Sequence, residues 1–81
     1  MDGEEVDVFL EDPLIIGEVT AHAENMDEVR KLLRKAEVVR AKYGREPRKL
    51  LVILMVRSEA LKDLRRMAEE KGVELIIGKT V

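Results

Sequence analysis

The chain has 81 residues and a net charge of −2, so it has room for one domain with one small core. It contains no cysteine, which excludes a disulfide framework and a thiolate metal site. No apolar run approaches the length of a membrane span, and no N-terminal stretch resembles a secretory signal. We therefore expect residues 1–81 to form a single domain in the cytoplasm, with no membrane contact.

The first predicted element is a β-hairpin. Apolar and polar residues alternate over residues 5–10, which indicates a strand. Turn-forming residues follow at Glu11-Asp12-Pro13, and residues 14–21 are rich in the β-branched side chains of a second strand. Two strands this close in sequence are expected to pair in antiparallel fashion.

A basic helix is predicted after the hairpin. Asn25, with Glu28 three residues later, is typical of a helix N-terminus. An apolar stripe at helical spacing then continues to about Lys42. Gly44 is expected to end the helix in the left-handed conformation.

A strand, a second helix and a last strand are predicted in the remainder of the chain. Residues 49–56 are predicted to form a strand, and its apolar run is typical of a central strand covered on both faces. Ser58 is the expected N-cap of a helix that ends at Gly72, and residues 73–77 form the last strand. The order β-hairpin–α–β–α–β predicts an α/β fold with a three-layer-like mixed sheet.

The predicted hairpin carries two carboxylates. Residues two apart in a strand share a face, so Glu18 and Thr20 point to the same side. Asp7 shares that face if the hairpin loop has an even number of residues, and lies on the other face if the number is odd. Two carboxylates that converge on one face are typical of a Mg²⁺ site, and such a cation can activate water for phosphodiester hydrolysis.

The segments Val6-Asp7-Val8-Phe9 and Ile15-Ile16-Gly17-Glu18-Val19-Thr20 resemble the core of the PD-(D/E)XK nuclease superfamily. The resemblance covers the hairpin closely, and the predicted helix and the strand through Val56 follow in the same order. It implies a restriction-endonuclease-like core that lacks the usual N-terminal helix and strand, so that either the chain is trimmed or another subunit supplies them.

The resemblance also implies roles for individual residues. Asp7 and Glu18 would bind Mg²⁺ or Mn²⁺, with the carbonyl of Val19 as a further ligand. Thr20 stands where the family has a catalytic lysine, and threonine carries no positive charge. The lysines of the following helix that would take over this function are Lys31 and Lys35. His22 lies just beyond this motif and is interpreted either as a further ligand or proton-transfer group or as a solvent-exposed histidine in a turn before the Asn25 cap.

Charge is distributed unevenly along the chain. Residues 1–28 contain ten acidic residues and no basic one, whereas residues 29–81 contain all fifteen basic residues and seven acidic ones. This asymmetry indicates contact with nucleic acid, or else pairing between acidic and basic elements. The abundance of Glu, Lys and Arg, with Asn25 as the only amide side chain, is typical of hyperthermophile proteins and predicts an archaeal source.

Basic side chains cluster in and after the first helix. The predicted nucleic-acid contacts are Arg30, Lys31, Arg34, Lys35, Arg45, Arg48 and Lys49. They would grip the phosphate backbone without reading sequence, or they form a solvated face paired with acids. Because aromatic residues for base stacking are scarce, duplex or branched DNA is the expected ligand.

Three functional hypotheses follow. The first is a Mg²⁺-dependent, DNA-binding endonuclease-like domain that hydrolyses phosphodiester bonds as a homodimer. The second, favoured by Thr20, is a catalytically inactive nuclease-fold module that binds nucleic acid or protein. The third is a small α/β assembly domain with no nucleic-acid role.

Overall fold

The computed structural model describes residues 8–23 and 27–81. Within these residues, four strands and two helices follow one another as β1 (Val8–Leu10), β2 (Ile15–Ala23), α1 (Asp27–Tyr43), β3 (Arg48–Val56), α2 (Ser58–Lys71) and β4 (Val73–Thr80). The strands form one mixed sheet in the order β1-β2-β3-β4, in which β1 is antiparallel to β2 and the other pairs are parallel. The predicted α/β class and order of elements are confirmed.

The hairpin pairs β1 with β2 across a loop of residues 11–14. Phe9 lies opposite Ile16, so odd-numbered residues of β1 share a face with even-numbered residues of β2. The loop therefore has the even length on which the position predicted for Asp7 depends. Asp7 itself lies outside the described residues, and so does the predicted start of the first strand at residue 5.

Both helices end as the sequence predicts. Gly44 has φ 68° and its N–H donates to the carbonyl of Arg40 at 2.8 Å, which closes α1. Gly72 has φ 69° and closes α2. Glycine adopts this left-handed backbone at little cost because it has no Cβ.

The predicted N-cap of the second helix is wrong. Ser58 is the first residue of α2, Arg57 occupies the N-cap position, and the Arg57 side chain makes no capping hydrogen bond. The N–H of Ser58 instead donates to the carbonyl of Val81 at 2.8 Å. The chain beyond β4 thus supplies an acceptor for the helix N-terminus, which a local capping pattern does not reveal. The other predicted N-cap, Asn25, lies outside the described residues.

The core lies between the two helices and one face of the sheet, here called the helix face. The buried apolar residues of the core are Leu14, Ile16, Val29, Leu32, Ala36, Val39, Leu51, Ile53, Val56, Leu64, Ala68 and Val73. Burial alternates along most of β3: Leu51 and Ile53 are 0% exposed, whereas the next residue, Leu54, is 51% exposed. In a β-strand such alternation means that one face is packed and the other is not.

The other face of the sheet, here called the open face, corrects the prediction of a strand covered on both sides. Residues that lie on it include Val8, Leu10, Ile15, Gly17, Val19, Arg48, Leu50, Val52, Leu54, Glu74, Ile76 and Gly78. Within residues 8–23 and 27–81 the fold has two layers, without the third layer that the apolar run 50–56 suggested. No helix in this part of the chain is long and apolar enough to span a membrane.

Candidate functional site

Glu18 is the buried carboxylate at the centre of the candidate site. It lies on the helix face of β2 with 9% of its surface exposed. Lys35 of α1 forms an ion pair with it, and the side chains are 13% exposed for Lys35 and 11% exposed for Glu18. The structure therefore brings one of the two candidate lysines against the carboxylate that the hairpin motif singles out.

The position of Lys35 on its helix explains the contact. Leu32 and Ala36 belong to the buried stripe of α1, and Lys35 lies beside them at the border of that stripe. A lysine at such a border can bury its hydrocarbon stem and still direct its ammonium group to a polar partner. Lys31, the other candidate, is 54% exposed and pairs with Glu28 at 3.7 Å. Distance from the buried stripe is the sequence signal that separates the two lysines.

Thr20 and His22 lie farther along β2. The hydroxyl of Thr20 donates to the carbonyl of His22 at 3.0 Å, so it is used within its own strand. His22 is exposed, in agreement with the simpler of its two interpretations, although it lies in a strand rather than a turn. Val19 points its side chain to the open face with 44% of its surface exposed, whereas its predicted role uses only the main-chain carbonyl.

The candidate donor atoms for a metal are hard oxygens. The carboxylate of Glu18 and the carbonyl of Val19 are ligands of the kind that Mg²⁺ prefers, and Mg²⁺ is often held by one or two carboxylates plus water and phosphate oxygens. No three His, Cys, Asp or Glu side chains converge among the described residues. The chemistry of these two donors fits the implied cation, and the second predicted carboxylate, Asp7, lies outside the described residues.

Three of the predicted nucleic-acid contacts lie exposed on α1. Arg30 is 66% exposed and pairs with Asp27 at 3.4 Å, and Lys31 pairs with Glu28 one turn earlier in the same way. Arg34 is exposed as well. Exposed pairs of this kind contribute little and exchange readily with water or other anions. These cations therefore remain accessible to a phosphate backbone.

The basic residues after α1 do not join that surface. Lys49 points to the helix face, where its side chain is 10% exposed and pairs with Glu46 at 2.7 Å. Its neighbour Arg48 points to the open face and pairs with Glu74 at 2.7 Å, because successive strand residues alternate between faces. Arg45 donates to the carbonyl of Glu11 at 3.2 Å. The seven predicted contacts thus lie on several surfaces, not one.

Glu46 supplies a testable pH dependence. The hydrogen bond and charge of Lys49, with a smaller contribution from Arg40, hold the pKa of the Glu46 carboxyl below its ordinary value of 4.5. A carboxyl with a lowered folded pKa stabilises the fold above its unfolded pKa, and this contribution is lost as pH falls through the folded pKa. We expect Glu46→Gln to be slightly less stable than the wild type at neutral pH, with a difference that disappears in acid.

Thermal unfolding of both proteins from about pH 7 to about pH 3 measures this difference. Glu70→Gln, which makes the same change of charge at an exposed site on α2, is the control. A Glu46→Gln difference that stays constant across the pH range contradicts the assignment.

Comparison of the chain with protein-family models, curated proteins and solved structures finds no match.

Proposed function

We propose that the chain is a nuclease-like domain with a restriction-endonuclease-like core, which binds a divalent cation and the phosphodiester backbone of duplex or branched DNA. The contact between Lys35 and Glu18 carries the proposal. The hairpin motif calls for a positive charge beside Glu18, and Thr20 cannot supply it. Lys35 brings that charge from the following helix.

The residues of the site would divide the chemistry as follows. Glu18 and the Val19 carbonyl, together with Asp7, would hold Mg²⁺ or Mn²⁺. When bound, such a cation lowers the pKa of water and neutralises negative charge on a phosphodiester. The ammonium group of Lys35 would orient the attacking water and stabilise developing negative charge at the same place.

The exposed cations of α1 would supply affinity for DNA. Arg30, Lys31 and Arg34 are exposed on the helix that also carries Lys35, so a phosphate backbone bound along α1 would contact them. Neutralising about three phosphates releases counterions, and the plot of log affinity against log salt should have a slope of about −2 to −3. Binding of this kind does not depend on base sequence.

The same ion pair also favours a second candidate, a catalytically inactive nuclease-fold module. A buried ammonium that neutralises a buried carboxylate can be retained for the fold alone. Thr20, bonded to its own strand, offers no replacement for the motif lysine. Such a module would keep the basic surface of α1 and bind DNA without cutting it.

A cation titration followed by backbone NMR tests the proposed site. We expect millimolar Mg²⁺ to shift the amide signals of Glu18 and Val19 before others, and Mn²⁺ to broaden them selectively. Glu18→Gln should abolish the response, because an amide is a much weaker cation ligand than a carboxylate. Glu28→Gln makes the same substitution on α1 and should leave the response intact. A hairpin that does not respond to either cation contradicts the proposal.

A further inference from the structure

The open face of the sheet presents a continuous apolar surface. Val19, Val52 and Ile76 lie side by side in register across β2, β3 and β4. Val19 is 44% exposed, while Leu54 and Ile76 are each 51% exposed. On a chain of which 40% is charged, a contiguous apolar face of this kind marks an interaction site.

The charges on this face cancel one another. Among its described strand residues the charged ones are Arg48 and Glu74, which form an ion pair of 2.7 Å near the N-terminal ends of β3 and β4. A surface with one internal ion pair and no net charge can meet a copy of itself without repulsion between like charges. A buried charge without a counterion is costly at an interface, and burying this face would create none because Arg48 and Glu74 pair with each other.

The size of the face is compatible with a stable pair. Strands of nine residues in β2 and β3, at about 3.3 Å per residue and about 4.8 Å between strands, give three strands a flat footprint of about 400 Å². The accessible surface of side chains exceeds the footprint, so two copies would bury on the order of 1,000 Å², near the lower limit for a specific interface.

We propose that the open face is the interface of a homodimer in which two sheets pack face to face. Aligned sheets pack about 10 Å apart with their side chains interdigitated. Each copy would then supply the third layer of the other, because it would cover the open face of β3. The interface lies on the side of the sheet opposite Glu18, so dimerisation would not cover the ion pair between Glu18 and Lys35.

Analytical ultracentrifugation of the whole chain, from about 1 µM to about 1 mM, tests the proposal over the range of ordinary association constants. The wild type should sediment as two copies of the 9.3 kDa chain. Leu54→Lys and Ile76→Lys, each made separately, should weaken association at least about 100-fold, because a lysine at either position buries an unpaired charge. Val81→Lys changes an exposed apolar residue outside the strands, 57% exposed, and should leave the dimer intact.

Circular dichroism on the same samples shows whether each variant is folded. Leu54 and Ile76 are half exposed in the single chain, so both lysine variants should keep the α/β spectrum as monomers. A wild type that stays monomeric throughout the concentration range overturns the proposal. Folded lysine variants that dimerise as tightly as the wild type overturn it as well, since the interface then lies elsewhere.

Discussion

Replacing Lys35 with methionine is expected to lower the free energy of unfolding by about 3–5 kcal/mol. Methionine keeps an unbranched stem but removes the ammonium group, which leaves the carboxylate of Glu18 buried without its cation. The side chains of this pair are 13% and 11% exposed, so water screens the lost interaction poorly. Urea denaturation of the wild type and the variant measures the difference.

Two further variants separate loss of a buried pair from loss of a lysine. Lys31→Met removes an exposed ion pair on the same helix and should change stability by no more than about 0.5 kcal/mol. The double variant Glu18→Leu with Lys35→Met should recover much of the lost stability, because neither charge is then buried alone. Equal effects of Lys35→Met and Lys31→Met would contradict the buried position of Lys35.

Shortening Leu51 to alanine is expected to cost about 2–5 kcal/mol. Leu51 is 0% exposed on the helix face of β3, in the middle of the core. Alanine would lose the transfer free energy of the removed carbons and leave a cavity between the sheet and the helices. A domain this small is stabilised by only a few kcal/mol, so thermal unfolding should show a marked fall in Tm or a chain that is unfolded at room temperature.

Leu54 on the same strand provides the matched control. It has the same side chain but is 51% exposed on the open face, so Leu54→Ala should cost less than about 1 kcal/mol in dilute solution. Homodimerisation through the open face would make this cost rise with protein concentration, since association stabilises the folded state by mass action. Equal losses for the two alanine variants in dilute solution would contradict the orientation of β3.

Features set by local backbone chemistry were predicted from the sequence. The hairpin, the two helices, and the left-handed turns at Gly44 and Gly72 follow from residue spacing and from the unique freedom of glycine. The parallel strands were expected because strands alternate with helices along the chain. Each of these inferences needs only residues close together in sequence.

Features set by packing between distant segments were not predicted from the sequence. An apolar run such as residues 50–56 has the same composition whether one face or both faces are covered, so the open face could not be read from it. Ser58 was predicted as an N-cap because serine is a common N-cap residue. The carbonyl that accepts from its N–H belongs to Val81, 23 positions farther along the chain, and a local pattern does not reveal such a contact. The basic residues in and after α1 were predicted to form one surface. Arg48 and Lys49 are neighbours in sequence, but they point to opposite faces because successive residues of a strand alternate in direction.

In the candidate site, too, some features were predicted from the sequence and others depend on tertiary packing. The hairpin motif drew attention to Glu18, and the family resemblance pointed to Lys31 and Lys35 of the following helix as replacements for the motif lysine. The contact with Lys35 depends on how α1 packs against β2, which is a tertiary property. The proposed role of this contact in phosphodiester hydrolysis is a hypothesis that a direct assay can decide.

Cleavage of duplex and branched DNA by the folded chain with Mg²⁺ is the most direct test of the proposed function. We expect cation-dependent cleavage by the wild type that falls to background in Asp7→Asn and Glu18→Gln and persists in Glu28→Gln. If the folded wild type binds these substrates without cutting them, or if Glu18→Gln cuts as fast as the wild type, the proposed nuclease site is contradicted.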